Sequence, residues 1–211
     1  MTSHKRVAVS VSRDELIHRK CKLANTHSSC PVTTSQQRLE NIEGATADDS
    51  LPLLPHVYWE TAVYFKIFGK LGDSKLLCDI GVCKPGHEDS AGLLCDNPKS
   101  YSCFLVRRQG KVSLEFWNGP ERDILPKSIP VMDIERDKEK TIKLGFYFDA
   151  MKRTLAVISP GSNTVLCQFK IKFPNLVPQC GLYSSDHVYV LIKLTEPQKL
   201  PNVLTKLMRP A

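Results

Sequence analysis

Along most of this chain the hydrophobic positions recur with a period of two. Val57, Trp59, Thr61, Val63, Phe65 and Ile67 fall on one face of an extended segment, and Tyr58, Glu60, Ala62, Tyr64 and Lys66 on the other. Successive side chains of a strand point to opposite faces, so this alternation predicts a long strand whose mixed second face is partly exposed. Leu76 to Cys83 is a second apolar run. Tyr101 to Arg108 and Lys111 to Trp117 flank Gln109-Gly110, which is the pattern of a hairpin. Ile142, Leu144, Phe146 and Phe148 make another inward row, and a turn around Ala150-Met151-Lys152 leads to Leu155, Val157 and Ser159. Pro160-Gly161-Ser162-Asn163 is a turn by composition. Val165, Cys167, Phe169 and Ile171 follow, then Val177 to Leu182, then Val188, Val190, Ile192 and Leu194. Near the N-terminus Val7, Val9 and Val11 mark a strand from Val7 to Ser12.

About nine or ten short strands with almost no helical periodicity predict an all-β fold, an antiparallel β-sandwich with little helix. The C-terminus differs. Leu200, Val203, Leu204, Leu207 and Met208 recur at helical spacing, with Pro201 suited to a first turn. A helix of one or two turns is expected there, packed back onto the sandwich by its apolar side, with a partner-binding helix as the alternative. The stretch from Gln36 to Pro55 is polar, then proline-rich, and reads as a long connection.

Composition narrows the class. With 211 residues, 42% hydrophobic and 24% charged, the chain suits one globular domain and excludes a disordered chain, a collagen or a coiled coil. The net charge of +7 invites a nucleic-acid or acidic-lipid partner. That charge is uneven. Residues 1–38 carry seven basic and two acidic side chains, and residues 39–50 carry four acids and no base. The basic segment 1–38 lacks both glycine and aromatics, so it offers nothing for a base to stack on. Between Asp133 and Lys140 bases alternate with acids, as on a solvated loop. Nucleic acid is therefore not the expected partner, and a basic nucleic-acid or acidic-lipid surface in residues 1–38 stands as the alternative. No apolar run follows the early basic residues, and the longest apolar stretch, Val188 to Ile192, is too short to span a bilayer. Eight cysteines without a secretory leader point to free thiols in a reducing compartment, the cytoplasm first and the nucleus second.

The search for chemistry is mostly negative. Gly69-Lys70-Leu71-Gly72-Asp73-Ser74-Lys75 lacks the Gly-Lys-Ser/Thr ending of a phosphate loop and suits a polar turn. His18-x-x-Cys21 followed by His27-x-x-Cys30 puts four nitrogen or sulfur ligands in thirteen residues, a set zinc accepts. The tight spacer and the missing Cys-x-x-Cys knuckle argue against it, so no metal and no cofactor is expected. Cys78, Cys83, His87, Cys95 and Cys103 form a second set, but Cys78 and Cys103 lie in apolar strands and suit a core. Glu60, Asp79 and Asp149 lie in or beside strands with no spacing that pairs them, and no Cys–His signature appears.

In their order along the chain, several short motifs resemble the SPRY (PRY–SPRY) domain family. His56-Val57-Tyr58-Trp59-Glu60 is similar to its H-Y-W-E strand, and Asp79-Ile80-Gly81-Val82-Cys83 to its L-G-V-C strand. Leu144-Gly145-Phe146-Tyr147-Phe148-Asp149 with Thr154-Leu155-Ala156-Val157-Ile158 resembles its V-G-x-x-L-D hairpin, and Leu176-Val177-Pro178 its L-x-P strand. Val9-Ser10-Val11-Ser12-Arg13-Asp14, with Ile17 and Arg19, is similar to part of the PRY half. The PRY opening L-D-x-x-T-A is missing, Leu51 to Pro55 replace the usual approach to the H-Y-W-E strand, and Val157-Ile158 replace the usual F-Y. A divergent member with an incomplete PRY part is expected.

The resemblance implies a bent antiparallel β-sandwich and a non-catalytic module that reads a partner peptide or protein surface through its loops. It also implies service as the recognition or adaptor part of a larger assembly, such as a ubiquitin ligase. It points to Leu105, Arg107, Tyr183 and Asp186 as partner contacts, with Trp117 a fifth; Leu105 and Tyr183 equally suit the core. The expected organisation is a basic segment with a partial PRY-like strand (1–38), an acidic then proline-rich connection (39–55), the sandwich (56–195) and a short amphipathic tail (196–211).

Overall fold

The computed structural model describes residues 2–3, 7–9, 15–18, 42–46, 50–51, 54–68, 75–88, 93–108, 110–119, 129–133, 139–183, 188–195 and 200–208. These hold fourteen strands in chain order. The first seven are β1 (Thr2–Ser3), β2 (Val7–Val9), β3 (Glu15–His18), β4 (Ile42–Thr46), β5 (His56–Ile67), β6 (Lys75–Cys83) and β7 (Ser100–Arg108). The others are β8 (Lys111–Asn118), β9 (Ile129–Asp133), β10 (Glu139–Asp149), β11 (Thr154–Ser159), β12 (Thr164–Lys170), β13 (Val177–Tyr183) and β14 (Val188–Thr195). A 3-10 turn spans Leu94–Asp96, and one helix, α1, spans Asn202–Leu207.

Two seven-stranded antiparallel sheets result. The first runs β1-β4-β13-β6-β7-β8-β9 and the second β12-β11-β10-β5-β14-β3-β2. The alternation read in the sequence explains why they face each other. Val63, Phe65, Leu144, Phe146, Val157, Val190 and Ile192 from the second sheet meet Ile80, Val82, Cys103, Leu105, Leu114, Phe116 and Leu182 from the first in one buried core. Trp59 stacks on Phe146 at 5.2 Å and 10° and closes that core along the β5–β10 pair.

Several local expectations change. Val165, though it alternates with Cys167 and Phe169 in the sequence, is 36% exposed, because Leu166 is an extra residue in β12 and shifts the register opposite Val157 and Ile158. A similar shift at Leu77 lets both Leu77 and Cys78 reach the core. The second face of β5 is more covered than its composition suggests, with Ala62 and Glu60 both buried. β4 falls inside the segment read as a connection, and pairs with β13 on one side and β1 on the other. Of the expected initial strand, Val7–Val9 is described, as β2; it pairs antiparallel with β3, which pairs with β14, and residues 10–12 lie outside the described residues.

Both outward faces carry covers. On the second sheet, Leu204 of α1 is buried against Tyr147, Ala156 and Ile158, with Val203, Leu207 and Tyr58 around it. Two hydrogen bonds fix the helix: Val203 N–H donates to Asn163 Oδ1 (2.9 Å), and Lys152 Nζ donates to the Leu207 carbonyl (2.6 Å). The C-terminal segment thus packs back onto the sandwich, as its apolar stripe predicted. On the first sheet, the chain between β6 and β7 folds over Cys83 and Val177 and buries Leu94 beside them.

Candidate functional site

The outward face of the first sheet is built from the residues that alternate with the core. In register across it lie Gln179, Gly81, Ser102 and Trp117, and beside them Gly181, Asp79, Phe104 and Glu115. Its floor is polar and buried, formed by Asp79, Ser102 and Gln179. Two of these groups hold the β6–β7 connection down, since Asp79 Oδ2 accepts the Leu94 N–H (3.1 Å) and Gln179 Nε2 donates to the Glu88 carbonyl (2.8 Å). Ser102 Oγ and Gln179 Oε1 have no hydrogen-bond partner among the described residues. Asp79 also explains Gly181, because a Cβ at that position would land on the Asp79 carboxylate.

Beside this floor stands an aromatic pair. Phe104 is 5% exposed, while Trp117 stays half-buried and meets it edge-on at 6.1 Å and 67°. Both sit on the β7–β8 hairpin, whose turn holds Gly110 at φ 78°, a conformation glycine adopts without cost.

The residues expected to contact a partner are dispersed by this geometry. Leu105 is 3% exposed and belongs to the core, so it offers no contact surface; its neighbour Phe104 has the outward parity instead. Arg107, next to last in β7, is at intermediate exposure, opposite Lys75 and Val112. Tyr183 ends β13 at the same end of the sheet, with β6 between β13 and β7, and its pairing partner is Ile42. Asp186 lies outside the described residues. Trp117 is at the other end of β8, opposite Ser102 and five residues along from the Arg107 pairing. Phe104 was missed by sequence reasoning, although an apolar pair at outward positions of β7, Phe104 and Val106, was a readable signal.

The carboxylates considered for catalysis form no pair. Asp79 is on the first sheet, and Glu60 and Asp149 on the second. Glu60 Oε1 accepts the Tyr58 hydroxyl (2.7 Å), and burial with this bond pushes the Tyr58 pKa well up. Asp149 pins the β10–β11 turn: its Oδ1 accepts the Lys152 N–H (2.8 Å), and its Oδ2 lies 3.5 Å from Tyr147 Oη and 3.7 Å from His56 Nδ1. Tyr147 Oη is 2.8 Å from His56 Nδ1. Burial, and then Asp149, push the Tyr147 pKa up to about 12, so the phenol stays protonated at neutral pH.

No group of three or more metal-ligating side chains occurs among the described residues. Of the His/Cys set, His18 ends β3 opposite Val7, and Cys21, His27 and Cys30 lie outside the described residues. Among the described residues six cysteines are free thiols: Cys78, Cys83, Cys95, Cys103, Cys167 and Cys180. No described helix is long and apolar enough to cross a membrane.

No protein-family model matches the sequence, and no curated protein matches it. Solved structures do match the fold. The TRIM65 PSpry domain superposes with a TM-score of 0.56 at 13% identity, over 93% of this chain and 89% of that one. The SPRY domain of human HERC1 gives 0.51 at 13% identity, over 94% and 97%. Basic winged bean lectin, solved with Tn-antigen, gives 0.51 at 10% identity, over 92% and 89%. The fold is therefore a SPRY-like β-sandwich, and the lectin shows how widely this architecture is shared.

Proposed function

We propose that this chain is a non-catalytic protein-interaction module that recognises a partner peptide or protein surface. The observation that carries the reading is the Trp117–Phe104 pair on the outward face of the first sheet. An indole kept half-open beside a buried ring, on strands that do not need to reorder, is the kind of anchor that concentrates binding energy. The SPRY-like fold supports the same class by analogy. Arg107, whose guanidinium can grip a carboxylate in two hydrogen bonds, is a second proposed contact, and Tyr183 and Asp186 are the further ones that the family resemblance implies. We assign the module to the recognition or adaptor part of a larger assembly, a ubiquitin ligase among the options. The free thiols favour a reducing compartment, the cytoplasm.

Affinity capture with quantitative mass spectrometry tests this reading. Trp117→Ala and Arg107→Ala are each expected to lower recovery of specific partners by about fivefold or more while the fold persists. Partner sets identical to wild type would overturn the site. Dominant recovery of RNA or DNA, lost steeply with salt, would overturn the class.

A further inference from the structure

The strand ladder of the first sheet ends in a like-charge pair. Cys83 of β6 is registered with Ser100 of β7, and the next backbone bond, Lys84 N–H to the Lys99 carbonyl at 2.8 Å, sets Lys84 beside Lys99. Like charges in adjacent cross-strand positions destabilise a sheet. Both side chains nevertheless converge on one ring: Lys84 Nζ lies 5.8 Å and Lys99 Nζ 5.2 Å from the centroid of Phe173. Phe173 is held under them by the β12–β13 connection, where Lys172 N–H donates to Tyr101 Oη (2.9 Å) and the Tyr101 and Phe173 rings are 6.4 Å apart.

Neither ammonium has a carboxylate partner among the described residues. The described acids of the same connection are turned elsewhere, Glu88 Oε1 to Gly86 N–H at 3.0 Å and Asp96 Oδ1 to Cys95 Sγ at 3.7 Å. Cation–π contact offsets part of the repulsion but neutralises neither charge. Two cations around one aromatic face, without a carboxylate partner among the described residues, are complementary to an anion that also brings apolar surface.

We infer that Lys84, Lys99 and Phe173 form a docking point for an acidic peptide segment of a partner protein, one that sets a glutamate or aspartate between the two ammoniums and its apolar neighbour on the ring. This rests on the reading of the chain as a protein-interaction module and names the chemistry of what it meets. A membrane is disfavoured because electrostatic lipid adsorption takes clusters of about four to eight basic residues, not two. Nucleic acid is disfavoured because the rings that continue from Phe173 among the described residues, Tyr101 and then Phe169, are buried and offer no stacking face.

The test uses the full chain, labelled with nitrogen-15 and titrated with a Glu-Phe-Glu-Phe-Glu peptide, a Gln-Phe-Gln-Phe-Gln peptide and phosphatidylserine vesicles. The acidic peptide is expected to shift the amides of Lys84, Lys99 and Phe173. Lys84→Gln/Lys99→Gln should weaken it by about tenfold, the scale of losing one charge-assisted contact. Thermal stability of that variant should hold or rise, since a repulsion is relieved. No response at these amides, equal binding of the neutral peptide, or tighter lysine-dependent binding of vesicles would each overturn the inference. So would a clear fall in melting temperature, which would make the lysines packing groups over Phe173. Retained partner recovery by the lysine variant together with loss in Trp117→Ala would sink the docking point and leave the module reading intact; unchanged recovery in both would sink the reading itself.

Discussion

At the scale of single residues, burial governs the ionisation of the thiols. Cys78, Cys103 and Cys167 line the space between the sheets, and burial pushes each thiol up, Cys167 to about 12. Half-buried Cys95 is pushed up to about 12 by burial and then by Asp96. A thiol whose folded pKa exceeds its unfolded value contributes stability that is complete below the unfolded pKa and is lost as pH rises toward the folded one. In that window the unfolded chain has released protons that the folded chain retains. Each buried thiol then costs about 1.4 kcal/mol of stability per pH unit. The urea midpoint is expected to fall between about pH 8 and pH 9.5, before most tyrosines titrate. Equal midpoints would show that the thiols ionise in place. Parity of residues explains Leu105, which suited core and contact equally. The strand was legible and so was its alternation, but which parity faced inward is decided by the opposite sheet, and that put Leu105 in and Phe104 out.

At the scale of elements, what could be read in the sequence was what hydrophobic burial dictates. β5, β7, β8, β10, β11 and β14 are sandwiched in the two sheets and show alternation. β4 and β9 do not: their pairings to β1, β13 and β8 are what the structure shows of them. Glu43, Gly44 and Thr46 carry no stripe, and Pro130 sits opposite Ser113 in β9, the edge strand of the first sheet, where a missing N–H is tolerated. Bulges were equally invisible, since an inserted residue leaves composition unchanged and moves only register. The C-terminal helix was legible because its stripe is self-contained, and it supplies a direct test. Leu204 is 2% exposed, and Leu204→Ala is expected to cost about 2 kcal/mol or more, at the low end for buried leucines because a short helix can partly collapse onto the gap. Urea unfolding measures that cost, and faster cleavage by protease around residues 200–208 reports the undocking. A stability equal to wild type would mean that the helix is carried by the sheet without supporting it.

At the scale of the whole molecule, the net charge of +7 separates into parts with different work to do. Residues 1–38 hold the densest positive charge, yet the same stretch supplies β1, β2 and β3. β3 lies against Leu191, Ile192 and Lys193 of β14, and β2 lies outside it. Without them β14 becomes the edge of the second sheet, a row of unpaired backbone groups on a strand that contains Val188, Tyr189, Val190, Leu191 and Ile192. Exposed apolar edges of this kind recruit a second chain. A chain beginning at residue 39 is therefore expected to be less stable than the full chain and to form dimers or larger species on size-exclusion chromatography. A shorter change, with Arg19, Lys20 and Lys22 replaced by glutamine, keeps β1 to β3 and should stay monomeric. If the truncated chain were also a stable monomer, residues 1–38 would be an appendage free to act as a basic arm, and the alternative reading would regain its ground. If truncation aggregates while the glutamine variant retains every partner, the positive charge there is secondary to closing the sheet.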